Sequence, residues 1–473
     1  MRERLKRLAP KSMIRIYQRA RYLGITALFF AARLLPVRKN LVALCNVWGY
    51  GDNAKYVAEE LIARKRAARE AGNAKSSRMP DMSAQERRLW RSLQIVFITN
   101  RPEQVPACPE LTARRTNTPR AVLALARARV WVDNNRKEAY IRKRRGQYYI
   151  QLWHGGVALK KIEGDCVQAL GKEYIRRARR DSAATDLFIS NSDFCTRMYR
   201  RAFWAKCEIA EYGSPRNDRF VHIAAERAEA GGINSGRAGQ MAACAEAGGI
   251  NSGRAGQMAA CAEAGGINSG RAGRTAEQAE AGELSCSRGV AAEGKLLPRR
   301  AVYAPTYRTG RNSFCSFDAA QLRAALADRF GGKWEILVRL HPLAAEGRGL
   351  RKIPGVRDIS GAPDLYEILY GADVLITDYS NTMFEFAMTG RPVFLYADDV
   401  REYERERGLY FDFRTLPFDG AETAKELYRQ IRDYDPERRC GELRRLYEAV
   451  GLKESGRAAA LVAERIAAEC GEE

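Results

Sequence analysis

Two histidines stand directly after apolar segments that are typical of buried β-strands. His154 follows the segment 148–152, and His341 occupies a similar place in the other half of the chain. The chain has only three histidines. Because imidazole titrates near neutral pH, His154 is a candidate general base. We expect Gly155 and Gly156 to let a ligand approach the backbone closely.

Candidate phosphate-binding side chains occur near both histidines and after a further predicted strand. Lys160 and Lys161 could neutralise an anionic acceptor or leaving group, although a lysine pair is usually just a solvated face. Thr306 and Arg308 follow a predicted strand, and Arg339 lies two residues before the second histidine. Hydroxyls and guanidinium groups are the donors that bind phosphate oxygens. Taken singly, each residue could equally be structural.

The segment 377–385 combines hydroxyls and a carboxylate with a predicted helix start. Asp378 follows a predicted strand, and Ser380 or Thr382 is the predicted N-cap of a short helix. Thr382 and Glu385 have the spacing of a capping box. Free backbone N–H groups at this helix start predict an anion site, most naturally for phosphate. The alternative is that the hydroxyls merely cap the helix.

Alternating strands and helices must position these residues. Apolar segments predict strands at 41–45, 94–98, 130–132, 148–152, 186–190, 300–305, 334–340, 374–377 and 393–396. Helical patterns lie between several of them, which argues for parallel sheets covered on both faces. In such sheets ligands bind beyond the carboxyl ends of the strands. We therefore predict an α/β protein with two doubly wound domains and a site in the cleft between them.

A 17-residue repeat interrupts the second half of the chain. Residues 228–244 recur identically at 245–261, and a truncated third copy begins at Ala262. Each copy is rich in glycine and has almost no large apolar side chain, so it cannot bury a core. We predict a flexible insertion at 226–297, with a binding role for the repeat as the alternative.

The chain is strongly basic, and its formal net charge of +23 over 473 residues implies an anionic partner. Nucleic acid, an acidic membrane surface and a phosphorylated substrate all fit this charge. The basic runs at 142–145 and 176–180 lack interleaved aromatic residues, so we expect no nucleic-acid partner. The cysteines form no Cys-x-x-Cys pair or Cys/His cluster. The sequence therefore indicates a reducing compartment and neither a metal nor a cofactor.

Residues 1–39 form a basic leader around one apolar run at 22–32. The run is shorter than the ~20 residues that a helix needs to span a bilayer. Eight lysines and arginines precede it. We predict a basic amphipathic helix that associates with an anionic membrane surface, with a plain packed helix and a cleaved signal peptide as the alternatives.

Several motifs, in their order and spacing, resemble the CDP-glycerol glycerophosphotransferase family, the polymerases and primases of teichoic acids and related capsules. They are Asp52-Asn53, Trp153-His154-Gly155 with Lys160-Lys161 and Asp165, Gly213 to Asp218, Tyr303 to Arg308, Arg339 to Pro342, Thr377 to Phe386, and Arg391-Pro392 through Tyr403 to Phe413. The resemblance covers about 40–415 apart from the insertion. The chain departs from the family at Gly156, where threonine is common, and at Asn381, where serine is common.

The resemblance implies a GT-B fold with the reaction in the cleft between its domains. Residues 40–215 would form the acceptor-side domain and residues 216–420 the domain that holds the CDP-alditol, with a helical segment at 421–473. An acceptor hydroxyl would attack the β-phosphorus of CDP-glycerol, and CMP would leave. A glycerol-phosphate unit would thus be added to a cell-surface polymer or lipid-linked acceptor. Peripheral attachment to the cytoplasmic face of the membrane is also implied.

The resemblance also suggests roles for single residues. His154 is expected to take the acceptor proton, His341 to contact the pyrophosphate, and Asp378 to orient one of these or bind the glycerol hydroxyls. The residues expected to bind substrate are Gly155, Lys160, Lys161, Arg216, Thr306, Arg308, Arg339, Ser380, Asn381, Thr382 and Glu385. A GT-B glycosyltransferase that uses a nucleotide sugar is the main alternative.

Overall fold

The computed structural model describes residues 11–70, 82–230, 297–306, 317–340 and 354–471. Most of the repeat insertion lies outside these ranges, as do Arg308 and His341, so the predictions made for them stay predictions.

A parallel sheet of seven strands forms the centre of the first domain. The strands are β1 (Arg38–Cys45), β2 (Gln94–Thr99), β3 (Leu111–Arg115), β4 (Ala128–Asp133), β5 (Tyr148–Gln151), β6 (Leu187–Ile189) and β7 (Glu208–Ala210). Their order across the sheet is β3-β2-β1-β4-β5-β6-β7, and every neighbouring pair is parallel. The order reverses between β1 and β4, so the segments after these strands flank a crevice at the carboxyl edge.

The second domain has a parallel sheet of six strands. They are β8 (Arg299–Tyr303), β9 (Trp334–Val338), β10 (Arg357–Asp358), β11 (Val374–Thr377), β12 (Val393–Tyr396) and β13 (Asp419–Ala421). The order is β10-β9-β8-β11-β12-β13, and it reverses between β8 and β11. The prediction of two doubly wound α/β domains is therefore confirmed.

Helices cover the two sheets. Those in the described ranges are α1 (Lys11–Ala32), α2 (Asp52–Glu70), α3 (Ala84–Ser92), α4 (Pro119–Arg127), α5 (Lys172–Ala184), α6 (Asp193–Ala202), α7 (Asp218–Ala230), α8 (Ala319–Phe330), α9 (Leu365–Tyr370), α10 (Thr382–Ala387), α11 (Val400–Arg407), α12 (Ala424–Arg432), α13 (Pro436–Val450) and α14 (Ala458–Gly471). Helix α7 continues to Ala230, so the predicted start of the insertion at residue 226 was too early.

Strand β1 shows why both faces of the sheet are covered. Side chains alternate between the faces of a strand. Val42 and Leu44 pack in a core cluster with residues of α2 and α14, whereas Leu41, Ala43 and Cys45 pack in a cluster with residues of α1 and α4. All five side chains are buried. A strand that is apolar on both sides needs such a layer on each face.

The C-terminal helices connect the two domains. Leu427 and Ile431 of α12 belong to the core around β8 and β9 in the second domain. In contrast, Val462, Ala463 and Ile466 of α14 are fully buried in the core of the first domain. The chain thus crosses back after the second sheet, and α14 forms part of the layer over β1 and β4.

Candidate functional site

Polar contacts join the carboxyl edges of the two sheets. Lys55 of α2, which follows β1, forms ion pairs with Asp364 (3.0 Å) and Glu367 (2.5 Å) of the second domain. The hydroxyl of Tyr56 also donates to Asp364 (2.9 Å). The domains therefore meet along the edges at which ligands bind in open α/β sheets.

His154 lies on the loop after β5, and its ring stacks on Trp153 with the centroids 4.2 Å apart. Its Nδ1 lies 3.0 Å from the carbonyl oxygen of Asn134. Because a carbonyl can only accept, this bond places the hydrogen on Nδ1 and leaves Nε2 unprotonated in the neutral ring. The His154 side chain is exposed. Nε2 is therefore an atom that can take a proton from an incoming hydroxyl.

The environment of His154 favours its neutral form. Although the residue is exposed, the protein around the ring leaves its hydration incomplete, and this desolvation lowers the pKa of His154 below 6.5. The hydrogen bond to Asn134 and the charge of Asp52 oppose this effect, whereas Arg216 adds to it. The imidazole is thus neutral at pH 7, which is the state that a general base requires.

Side chains fix the backbone of the loop that carries His154. The four consecutive carbonyl groups of residues 153–156 each accept a hydrogen bond. Asn53 donates to the carbonyl of residue 153, Arg216 to that of 154, Tyr199 to that of 155 and Cys195 to that of 156, each at 3.1 Å. Trp153 has a φ of 55°, a left-handed conformation that is uncommon for a bulky residue. The surrounding contacts thus hold the loop in a conformation that the local chain does not favour.

Gly155 and Gly156 are approached by protein side chains. A Cβ atom at Gly155 would lie 2.9 Å from Nδ2 of Asn381, and one at Gly156 would overlap Nδ2 of Asn191. The close neighbours of these glycines within the protein are therefore amide groups.

Arg216 joins the two domains beside His154. Its guanidinium pairs with Asp52 (2.5 Å) in the first domain and with Glu385 (2.6 Å) in the second. Tyr366 donates to the other oxygen of Glu385, and its ring lies 4.7 Å from the guanidinium. Burial alone would lower the pKa of Arg216, but Glu385, Tyr366 and Asp52 raise it well above its ordinary value. Arg216 and Glu385, both predicted to bind substrate, form an ion pair with each other.

The start of α10 differs from the predicted helix start. The N-cap is Asn381, whose side chain makes no capping bond, and the hydroxyls of Ser380 and Thr382 are bonded to each other (2.8 Å). The N–H of Met383 donates to the carbonyl of Ser380, and the N–H of Phe384 donates to the carbonyl of Asn381. The predicted N-cap was wrong, since Ser380 lies before the N-cap and Thr382 is already the first residue of the helix. The predicted capping box was wrong because Arg216 and Tyr366 hold the Glu385 carboxylate. The N–H groups in the first turn of α10, those of Thr382, Met383 and Phe384, are thus already bonded within the segment.

Asn381 links α10 to the first domain. Its side-chain oxygen accepts a hydrogen bond from the N–H of Leu159 (3.1 Å). Two backbone bonds extend this junction, from the N–H of Tyr410 to the carbonyl of Leu159 (2.8 Å) and from the N–H of Lys161 to the carbonyl of Gly408 (3.0 Å). Asn381 therefore stabilises the position of one domain against the other.

Lys160 and Lys161 lie against the second domain. The ammonium of Lys160 is 5.5 Å from the ring centroid of Tyr403. That ring stacks on Tyr379, 3.7 Å away, which directly follows Asp378 at the end of β11. The Lys161 side chain is exposed. The lysine pair thus brings positive charge from the first domain to the carboxyl edge of the second sheet.

Asp378 organises the facing strand ends. It is fully buried and accepts hydrogen bonds from the N–H of Thr306 (2.8 and 3.0 Å) and the N–H of Tyr379 (2.6 Å). Within the described chain, Oγ1 of Thr306 and Nε of Arg339 are buried without a hydrogen-bond partner. Burial lowers the pKa of Arg339. A buried polar atom without a partner costs about 1–3 kcal/mol, which bound phosphate oxygens would offset.

Three residues of the site were missed by the sequence reasoning. Asn134 follows β4 at the point where the strand order reverses, and the rule of ligands at strand ends could have identified it. Asn191 follows β6 in the same manner. Tyr366 lies inside α9, and no sequence signal distinguishes it from a core tyrosine.

Similarity to known proteins was found in both sequence and structure. The sequence model of a family described as CDP-glycerol:poly(glycerophosphate) glycerophosphotransferase matches residues 27–238 and 275–468. The teichoic acid poly(glycerol phosphate) polymerase of Bacillus spizizenii is 26% identical over 61% of this chain and 61% of its own. The teichoic acid glycerol-phosphate transferase of Staphylococcus aureus is 27% identical over 62% of this chain and 63% of its own.

The chain spans less than two thirds of the length of these relatives, and only 33% of the corresponding Bacillus subtilis polymerase. A solved structure of the wall teichoic acid polymerase TagF superposes with a TM-score of 0.66 at 20% identity, covering 97% of each chain. A second structure of TagF, soaked with CDPG, gives a TM-score of 0.63 at 22% identity over 92% of this chain and 90% of its own. These structures share the two-domain fold predicted from the sequence.

Proposed function

Because the chain belongs to the CDP-glycerol:poly(glycerophosphate) glycerophosphotransferase family, we propose that it moves a glycerol-phosphate unit from CDP-glycerol, or a related CDP-alditol, to a hydroxyl of a teichoic-acid-type polymer or lipid-linked acceptor. The observation that carries the proposal is His154, whose Nε2 can accept a proton on a loop held by both domains. At the carboxyl edge of the second sheet, one buried polar atom each of Thr306 and Arg339 has no hydrogen-bond partner among the residues that the structure describes.

The proposed reaction follows from these positions. The acceptor oxygen attacks the β-phosphorus, and its proton passes to Nε2 of His154. As the new P–O bond forms, the bond from the β-phosphorus to the bridging oxygen breaks, and CMP leaves with that oxygen. Thr306, Arg339 and Lys160 supply hydrogen bonds and positive charge to the phosphoryl oxygens. We assign Arg308 and His341, near them in the chain, to the pyrophosphate.

The donor preference tests this function. We expect the purified chain, given a teichoic-acid-type acceptor, to release CMP from CDP-glycerol and to release no UDP from UDP-sugars. CDP-ribitol in the same panel shows which alditol is preferred. Release of UDP with no CMP would contradict the proposal and favour a glycosyltransferase.

Helix α1 supports a second part of the proposal, attachment to the cytoplasmic face of an anionic membrane. Its buried face packs in the first domain through residues that include Phe29, which is fully buried. Its opposite face exposes apolar side chains seven residues apart, at Ile16, Leu23 and Phe30. Arg15 and other exposed arginines flank them. Among the described residues, no helix has the length and apolar character needed to cross a membrane. Such a helix suits the bilayer surface.

The exposed apolar face gives a testable prediction. We expect Ile16→Ser with Leu23→Ser to lower binding to phosphatidylglycerol vesicles at least about tenfold, because each side chain contributes roughly 1.5–3 kcal/mol when removed from water. The matched control is Val167→Ser with Leu297→Ser, which also replaces two exposed apolar residues. Cosedimentation measures both pairs. Equal vesicle binding by the two double variants would argue against a membrane role for α1.

A further inference from the structure

A half-open cavity of about 270 Å³ lies in the first domain, on the face of the sheet that α1 covers. Trp131 of β4 and Tyr149 of β5 line it together with Lys137, Arg142 and Arg180. None of these five residues was expected to bind a ligand, and the reaction proposed above uses none of them. The cavity thus has an aromatic wall and several cationic groups.

Most charged groups around the cavity have partners of opposite charge. Lys137 pairs with Asp133 (2.7 Å) and Asp181 with Arg136 (3.2 Å). Two further lining groups also have partners of opposite charge: Lys143 pairs with Asp186, and Glu138 lies 3.8 Å from Arg177. Two lining cations are not included in these ion pairs.

Arg142 and Arg180 are those two cations. Within the described part of the chain, neither has a carboxylate partner. One terminal guanidinium nitrogen of Arg142, Nη1, is buried and lacks any hydrogen-bond partner there. Burial and the charge of Arg142 lower the pKa of Arg180, whereas the neighbouring Asp181 carboxylate raises it. Asp181, which pairs with Arg136, therefore offsets the repulsion between the two guanidinium groups only in part. A bound anion would relieve this repulsion and satisfy the buried nitrogen.

The chemistry of the two arginines favours phosphate. A guanidinium presents donors in a planar fork that matches two oxygens of a phosphate group, and Arg–phosphate pairs are often bidentate. The cavity also lies beside α1. Tyr140, next to the lining residue Ile141, packs edge-on against Tyr22 (5.6 Å) and Phe29 (5.8 Å) of that helix. A phosphate at the membrane surface would therefore lie near the cavity.

We propose that this cavity is a phosphate-binding site, separate from the donor site, with Arg142 and Arg180 as its principal ligands. The phosphate belongs to an anionic lipid headgroup or is free in solution. Only the lipid source rests on the proposed membrane attachment of α1. Phosphate binding by the two arginines is independent of the proposed transfer reaction, so loss of one does not imply loss of the other.

The test compares two double variants of the full chain. Arg142→Gln with Arg180→Gln removes the proposed ligands, and Arg429→Gln with Arg445→Gln removes the same charge from exposed positions on α12 and α13. Calorimetric titration with inorganic phosphate measures the free anion. Cosedimentation with phosphatidylglycerol and phosphatidylcholine vesicles measures the lipid headgroup. Arg142→Lys with Arg180→Lys keeps the charge and checks that loss of binding is not loss of folding.

We expect the first glutamine pair to weaken phosphate binding roughly tenfold or more, with the control pair close to wild type and the lysine pair intermediate. A parallel loss on phosphatidylglycerol vesicles supports the headgroup as the source, whereas unchanged vesicle binding supports free phosphate. The proposal is overturned if wild type does not bind phosphate, or if both glutamine pairs bind phosphate equally.

Discussion

Replacing His154 by alanine is expected to lower the rate of glycerol-phosphate transfer by about 10²–10⁴-fold, the usual contribution of a positioned general base. Binding of CDP-glycerol should stay close to normal, because the ring's hydrogen bond is to Asn134 of the first domain, whereas the proposed phosphate-binding groups Thr306 and Arg339 lie in the second. The matched control is His222→Ala, an exposed histidine on α7. Turnover by rapid quench and donor affinity by calorimetry separate the two effects.

The pH dependence offers a second measurement of the same residue. The protein lowers the pKa of His154, so the ring stays neutral to a lower pH than an ordinary histidine. Activity should therefore be present above the lowered pKa and be lost as the pH falls through it. In kcat/KM, which reports the free enzyme, we expect the midpoint of the acidic limb below 6.5. Near-normal turnover by His154→Ala, or an acidic limb above that value, would remove His154 from the role of base.

Replacing Arg216 by alanine is expected to destabilise the protein by about 3–5 kcal/mol, the usual cost of breaking a buried ion pair by removing one partner. Glu385 is 2% exposed and would keep a buried charge without its cationic partner. The carbonyl of His154 would lose its donor at the same time. We therefore expect a lower transfer rate even at temperatures at which the variant is folded.

Two further variants test whether loss of the buried ion pair causes the destabilisation of Arg216→Ala. Arg219→Ala removes a nearby arginine whose pair with Glu226 is partly exposed, and it should cost no more than about 1 kcal/mol. Arg216→Met combined with Glu385→Leu removes both buried charges and should recover part of the stability. Chemical denaturation measures all three variants. A double variant that is less stable than Arg216→Ala would show that the ion pair is not the main reason for the loss.

The fold was predictable where strands are buried on both faces. Parallel strands in the middle of a sheet contact helices on each side and therefore need apolar side chains on both faces. Strands β1, β2, β8 and β11 are such strands, and their apolar runs were recognisable in the sequence. The edge strands were missed for the opposite reason. For example, β3 contains Arg114 and Arg115, and β13 is only three residues long and has no large apolar side chain. Such strands are held by backbone bonds to one neighbour and need no apolar pattern.

The site was predictable in location and less so in the roles of its residues. The rule of ligands at strand ends identified His154 and the 377–385 segment, because it depends only on local order along the chain. The pairing of Arg216 with Glu385 joins residues 169 positions apart. No local pattern contains that contact, so the ion pair was not predicted. The same contact removed Glu385 from the predicted capping box.

The proposed transfer of glycerol phosphate is tested most directly by following the β-phosphorus of CDP-glycerol into the products. CDP-glycerol labelled with ³²P at the phosphate next to glycerol is given to the purified chain with a teichoic-acid-type acceptor. Attack at phosphorus with His154 as the base predicts that the label enters the acceptor and that unlabelled CMP is released in equal amount. Release of labelled CDP, with glycerol transferred without its phosphate, would contradict the account.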